Sequence, residues 1–205
     1  VFESMHPVCG HEHMLVGMAL DPDWIHDMAD TYSNLTIELM ETLFAKEGKP
    51  DGIWFYEDLG YKGTPFMSPE MYKEMLFPYH KKTMDYAHSL GLPVIFHCCG
   101  FVEPLLPGLI EAGIDCLQSM EVKAGMDPIR INKNYGDKIS LMGGIDARIL
   151  ISNDLKLIDQ ELESKLPVVK DGYGYILHSD HSLPPEVEIE TYKYFLKKAL
   201  ELGEY

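Results

Sequence analysis

The sequence has 205 residues, 46% hydrophobic and 24% charged, a balance suited to a globular protein with one sizeable core. Its formal net charge is −16 and Arg130 and Arg148 are its only arginines. Nucleic acid and anionic membrane surfaces are therefore poor partners, because they would be repelled and would meet no cationic cluster.

No apolar run approaches the roughly 18 residues needed to cross a bilayer, and no basic-then-apolar signal precedes the first element. Together with four cysteines (Cys9, Cys98, Cys99, Cys116) whose spacing is not that of a disulfide framework, this predicts reduced thiols in a cytoplasmic protein.

In chain order, "HPVCGHEH" comes first and carries His6, Cys9, His11 and His13. It lacks the H-E-x-x-H spacing that sets two ligands on one helical face. The reading it favours is a solvated or partner-facing helix start rather than a metal site. The stretch Asp21–Gly48 is strongly helical, with Asp21 or Asp23 as cap. Next comes "GIWFYEDLG" (Gly52–Gly60), an apolar burst of strand length. A helix then opens on Ser68 as N-cap with Pro69 and Glu70 in its first turn. Pro78 kinks or splits it, and Gly91 follows its last turn.

Four more apolar bursts alternate with helical stretches: "PVIFHCCG" (Pro93–Gly100), "GIDCLQSME" (Gly113–Glu121), "KISLMGGID" (Lys138–Asp146) and "GYILHSDHS" (Gly174–Ser182). Such bursts, lacking alternation, suit strands buried on both faces of a parallel sheet. The chain closes on a helix in "PPEVEIETYKYFLKKALELG", started by its prolines and stopped by its glycine. The expected architecture is a single α/β domain over residues 1–205. No glycine-rich phosphate loop follows any strand, which favours a β/α barrel over a nucleotide-binding sheet.

In either architecture function collects at the carboxyl ends of the strands. Those ends hold Glu57 and Asp58; His97, Cys98 and Cys99; Gln118, Ser119 and Glu121; Asp146; and His178, Asp180 and His181. Residues two apart in an extended segment point to the same side, so His97 and Cys99 can face one cavity while Cys98 turns into packing. With His181 as third donor they would form a zinc site with one open position, and Glu57 or Asp58 would add a carboxylate ligand or a supporting hydrogen bond. The alternative is a structural one, with His97 on a backbone partner and both thiols serving as small hydrophobes.

The runs "DGIWFYEDLG", "SPEMYKEMLFPYHKKTMDYAHSLGLPVIFHCCG", "MGGID" and Gly172–Val187 resemble, in order, the uroporphyrinogen decarboxylase superfamily. That superfamily includes the decarboxylase and zinc-dependent methyltransferases acting between corrinoid proteins and thiols. The resemblance implies a TIM-like (β/α)8 barrel, here incomplete, with a helical lead-in and about five of eight strands. It also implies zinc on His97 and Cys99, a pair the methyltransferases carry. His181 stands where they place a later cysteine, and the decarboxylase has a histidine at about the same place.

On that basis the leading expectation is a zinc-dependent methyltransferase, with a methylated corrinoid on a partner protein as donor. Glu57, Asp58 and His181 would be catalytic, and Gln118, Asp146 and Asp180 would bind a small thiol substrate. The runner-up is cofactor-free decarboxylation of a tetrapyrrole in porphyrin biosynthesis. Recognising so many carboxylates calls for arginine forks, which this chain scarcely offers. A third reading is a non-catalytic truncated barrel that works by association, as a homo-oligomer or with a missing N-terminal half.

Overall fold

The computed structural model describes residues 1–171 and 174–204. Gly172 and Tyr173, which open the last motif quoted above, and Tyr205, the end of the expected domain, lie outside the described residues. The chain divides into two compact units, Val1–Asp115 and Cys116–Tyr205.

The first unit begins with helices α1 (Phe2–Cys9), α2 (His11–Leu20) and α3 (Pro22–Glu47). The N-terminal histidines thus lie within helices rather than ahead of one. Asp21 is the cap of α3, accepting from the Trp24 amide with Pro22 in the first turn. Strand β1 (Ile53–Tyr56) follows, then a small hairpin, β2 (Gly60–Tyr61) and β3 (Thr64–Pro65), whose four ladder residues are too few to leave a period in the sequence. Pro78 splits the next helix as expected. α4 (Pro69–Met75) ends and α5 (Phe77–Ser89) begins with the proline in its first turn, where no amide is missed. Strand β4 (Val94–Cys98) and helix α6 (Leu106–Ala112) complete the unit.

β1 and β4 are parallel and in register from Ile53 beside Val94 to Tyr56 beside His97. One face of the pair meets the helices, with Phe96 edge-on to His80 of α5 at 5.6 Å. The other face carries Trp54 and Tyr56, which are 47% and 61% exposed. β1 is therefore covered on one face only, contrary to the reading of its apolar burst. The periodicity of four residues, three of them aromatic, could not reveal this.

The second unit contains β5 (Cys116–Ser119), α7 (Pro128–Tyr135), β6 (Ser140–Gly143), α8 (Ala147–Ile151), α9 (Leu155–Val169), β7 (Tyr175–Ile176) and α10 (Ile189–Gly203). β5, β6 and β7 run parallel, with Leu117 beside Leu141 and Leu141 beside Tyr175. Ile145, Leu150, Ile158, Leu162, Leu166, Val169, Phe195 and Ala199 form its core, with apolar residues of α9 recurring every three or four positions. α10 starts at Ile189, not at the prolines. The residue before a proline resists the helical region, and Pro184–Pro185 instead enter a turn closed by the Val187 amide on the Pro184 carbonyl.

Neither group of strands closes into a barrel within its own unit. Among the described residues no helix is long and apolar enough to cross a membrane, and no cysteine forms a disulfide.

Candidate metal centre

Strand alternation decides where the "HCC" side chains go. Phe96 faces the helices, so His97 must face the opposite side, where its ring stacks on Tyr56 with centroids 3.7 Å apart and planes at 19°. Cys98 turns back to the helical side and is buried, its Sγ accepting from the Leu59 amide at 3.2 Å. Burial pushes its thiol well above the ordinary value of 9.0, so it is neutral and inert. Cys99 returns to the His97 side, its Sγ 3.4 Å from His97 Nε2.

The third member is Asp58, two residues past β1. Its Oδ1 accepts from the Cys99 amide at 2.8 Å and lies 3.3 Å from His97 Nε2. Burial opposes its ionisation, yet the hydrogen bonds from His97 and Cys99 outweigh burial and hold the carboxyl below its ordinary 3.8. Burial raises the Tyr56 hydroxyl above its ordinary 10.0, and the neighbouring Asp58 carboxylate adds to this.

Oxygen, nitrogen and sulfur donors from Asp58, His97 and Cys99 all lie within 4.8 Å of one another. Tetrahedral zinc with bonds of about 2.0–2.3 Å separates nitrogen from oxygen by about 3.4 Å and nitrogen from sulfur by about 3.6 Å. The observed separations of 3.3 and 3.4 Å fit one such ion.

Two glycines bring the strand ends this close. Gly60 and Gly100 close the "EDLG" and "HCCG" runs and touch backbone to backbone. A Cβ on Gly60 would stand 2.6 Å from the Cys99 carbonyl oxygen, and one on Gly100 would overlap the Gly60 backbone. The Phe101 amide then donates to the Tyr61 carbonyl at 2.8 Å, tying the hairpin to the Cys99 loop.

Glu57, expected beside Asp58 in the chemistry, points elsewhere. It is 2% exposed and accepts from the Val1 nitrogen and, at 3.0 Å, from the Glu3 amide. His80 Nε2 lies 3.5 Å from it without forming a hydrogen bond, while His80 Nδ1 meets the Tyr72 hydroxyl at 3.1 Å. Burial holds the His80 imidazole well below its ordinary 6.5, so it is neutral when folded.

A depressed histidine contributes stability that is present above the unfolded pKa and lost as pH falls toward the folded one. We expect unfolding free energy to drop below pH 6.5 by up to about 1.4 kcal/mol per pH unit. In His80→Gln that share of the slope should disappear. Denaturation midpoints measured from pH 7 downward check this; equal slopes in both proteins would count against it.

In the second unit the two expected substrate carboxylates are engaged locally. Asp146 caps α8 and forms a fork with Arg148, with Nε to Oδ1 at 2.9 Å and Nη2 to Oδ2 at 2.6 Å. Burial works against its ionisation, but these bonds prevail and lower its pKa. Asp180, 2% exposed, accepts from the Val122 amide on one oxygen and the Ala147 amide on the other, both at 2.9 Å. It thereby ties together the loops after β5 and β6. Burial raises its pKa above the ordinary 3.8, the neighbouring Asp146 adds to this, and the two amides offset part of it.

Gln118 is buried in β5. His181 is exposed, with Nδ1 3.4 Å from the Ser182 carbonyl. It lines a cavity of about 280 Å³ with His178, Ser179 and Tyr192. Within one unit the structure thus brings together Asp58, His97 and Cys99; His181 belongs to the other.

Residues 3–202 match the family described as uroporphyrinogen decarboxylase (URO-D). The chain belongs to the uroporphyrinogen decarboxylase family. A methylated-thiol–coenzyme M methyltransferase of Methanosarcina mazei is 27% identical over 146 residues, covering 71% of this chain and 37% of that protein. Among solved structures, a methyltransferase from Methanosarcina mazei superposes with a TM-score of 0.73 at 18% identity, covering 94% of this chain and 54% of that one. The second likeness establishes a shared fold. The chain spans about a third of the curated relative and about half of the solved one.

Proposed function

We propose that this family member is the metal-bearing part of a zinc-dependent methyltransferase acting between a corrinoid carried on a partner protein and a small thiol. The observation that carries the reading is the convergence of Asp58, His97 and Cys99 on one point. The relative named for transfer from methylated thiols to coenzyme M supports thiol chemistry. On this reading the five parallel strands are part of a (β/α)8 barrel whose remaining strands this sequence does not supply.

Asp58, His97 and Cys99 would hold zinc, leaving its fourth position to the acceptor. Bound there, the ion supplies the Lewis acidity that keeps a thiol deprotonated at neutral pH. The chain's own part is to fix the donors. The Cys99 amide anchors Asp58, and strand alternation aims His97 and Cys99 together. A corrinoid on the partner protein would supply the methyl group and take up the electron pair of its carbon–metal bond, and the proton of the acceptor thiol would pass to solvent.

Charge weighs against decarboxylation of a polycarboxylate. Arg148 is committed to Asp146, and Arg130 Nη2 donates to the Gly125 carbonyl at 2.8 Å. Neither offers an uncommitted fork.

The third ligand is decided by two variants. A fourth protein donor would close the site, so Asp58→Ala is expected to lose most bound zinc and His181→Ala to keep it. Elemental analysis reads the result. Metal-free wild-type protein would remove the zinc reading, and the reverse pattern would make His181 the ligand.

A further inference from the structure

Tyr56 has no assigned role, yet its placement is unusual for an exposed side chain. Its ring lies 61% exposed on a strand that is uncovered on that face, and still it is stacked nearly parallel on His97. The β1–β4 register puts the two residues side by side. Adjacent strands stand about 4.8 Å apart, so a centroid spacing of 3.7 Å means that the rings lean toward each other.

The contact also constrains the one torsion that matters for a ligand. An imidazole ring turns broadly about its last side-chain bond, and a flat neighbour on one face stops that turning. With the ring plane held, Nε2 stays aimed at Cys99 Sγ, 3.4 Å away, and at Asp58 Oδ1, 3.3 Å away.

We propose that Tyr56 is a positioning residue that sets the ring plane of His97 and thereby preorganises the Asp58–His97–Cys99 cluster. This rests on the metal reading of that cluster, but the ring contact itself exists without metal. A flat aromatic face is what the role requires, so phenylalanine should substitute and leucine should not.

The experiment compares wild type, Tyr56→Phe and Tyr56→Leu in two states. In the metal-free protein, the His97 ring protons in the NMR spectrum should be displaced upfield by the aromatic neighbour. Tyr56→Phe should keep that displacement and Tyr56→Leu lose it. With metal, zinc affinity by chelator competition should fall about tenfold in Tyr56→Leu and stay within about twofold in Tyr56→Phe, the scale seen for partners that orient a ligand. The cobalt-substituted protein should show altered visible bands in Tyr56→Leu alone, while melting of the three metal-free proteins tests for a general loss of structure.

Wild-type and leucine proteins alike in ring shifts, or alike in affinity and cobalt spectrum, would overturn the proposal. A wild type that shows the ring shift but binds no metal would remove the zinc reading and leave the ring contact in place.

Discussion

Replacing Cys99 by serine is expected to lower zinc affinity by about a hundred- to a thousand-fold, whereas Cys98→Ala should leave zinc binding unchanged. Zinc held by four donors binds with roughly 10–16 kcal/mol at neutral pH, so one donor carries roughly 3 kcal/mol, and each 1.4 kcal/mol is a factor of ten. Serine is a poor replacement because its hydroxyl stays protonated where a thiol gives up its proton to the metal.

The Cys98 contrast follows from strand alternation. Its sulfur lies on the helical side and accepts from the Leu59 amide. Cys98→Ala therefore costs folding stability, about 1–3 kcal/mol for an amide left without its acceptor, and not metal. Zinc titration and chemical denaturation of the two variants form a crossed pair. Equal zinc loss in both would mean that the cysteines act through packing, and the metal centre would fall.

That pair marks what the sequence made legible. Alternation along "PVIFHCCG" was enough to separate Cys99 from Cys98, because the period of a strand is a backbone property that needs no tertiary information. The caps at Asp21 and Ser68 and the break at Pro78 were readable for the same reason: each acts within one turn of its own position.

What could not be read depended on which elements become neighbours. The text "YED" gives no sign that Glu57 turns to Glu3 and His80 while Asp58 turns to His97. That division is set by the parallel register of β1 with β4, across an interval filled by the hairpin and two helices. The Tyr56–His97 contact is hidden on the same ground, since it is a register contact. The Asp146–Arg148 fork is local, two residues apart, but the hold of the Val122 and Ala147 amides on Asp180 is visible only once β5, β6 and β7 lie side by side. His80 left one weak trace, a histidine in the first turn of a proline-started helix, on the same stripe as the buried Thr83, Met84 and Ala87.

The same register makes Gly100 the most sensitive backbone position near the centre. Gly100→Ala should destabilise the protein by about 3 kcal/mol or more and release bound zinc, through two separable costs. Its φ of 80° lies in the left-handed region, where a Cβ costs about 1–2 kcal/mol. The added carbon would also overlap the Gly60 backbone, which cannot rotate away as a side chain could. Relief requires the Cys99 loop and the start of the hairpin to move apart. Asp58, only two residues before Gly60, would then separate from the Cys99 amide that holds it.

Gly63 isolates the first cost. It sits in the same hairpin with φ of 72°, and nothing lies within 4 Å of the position its Cβ would take. Gly63→Ala should therefore lose only about 1–2 kcal/mol and keep its metal. Denaturation midpoints and zinc stoichiometry measured on both variants separate strain from displacement. A Gly100 variant no less stable than the Gly63 variant, with zinc retained, would show that the loop and hairpin are not in backbone contact. Asp58 would then have to be held at the centre by something other than that close approach.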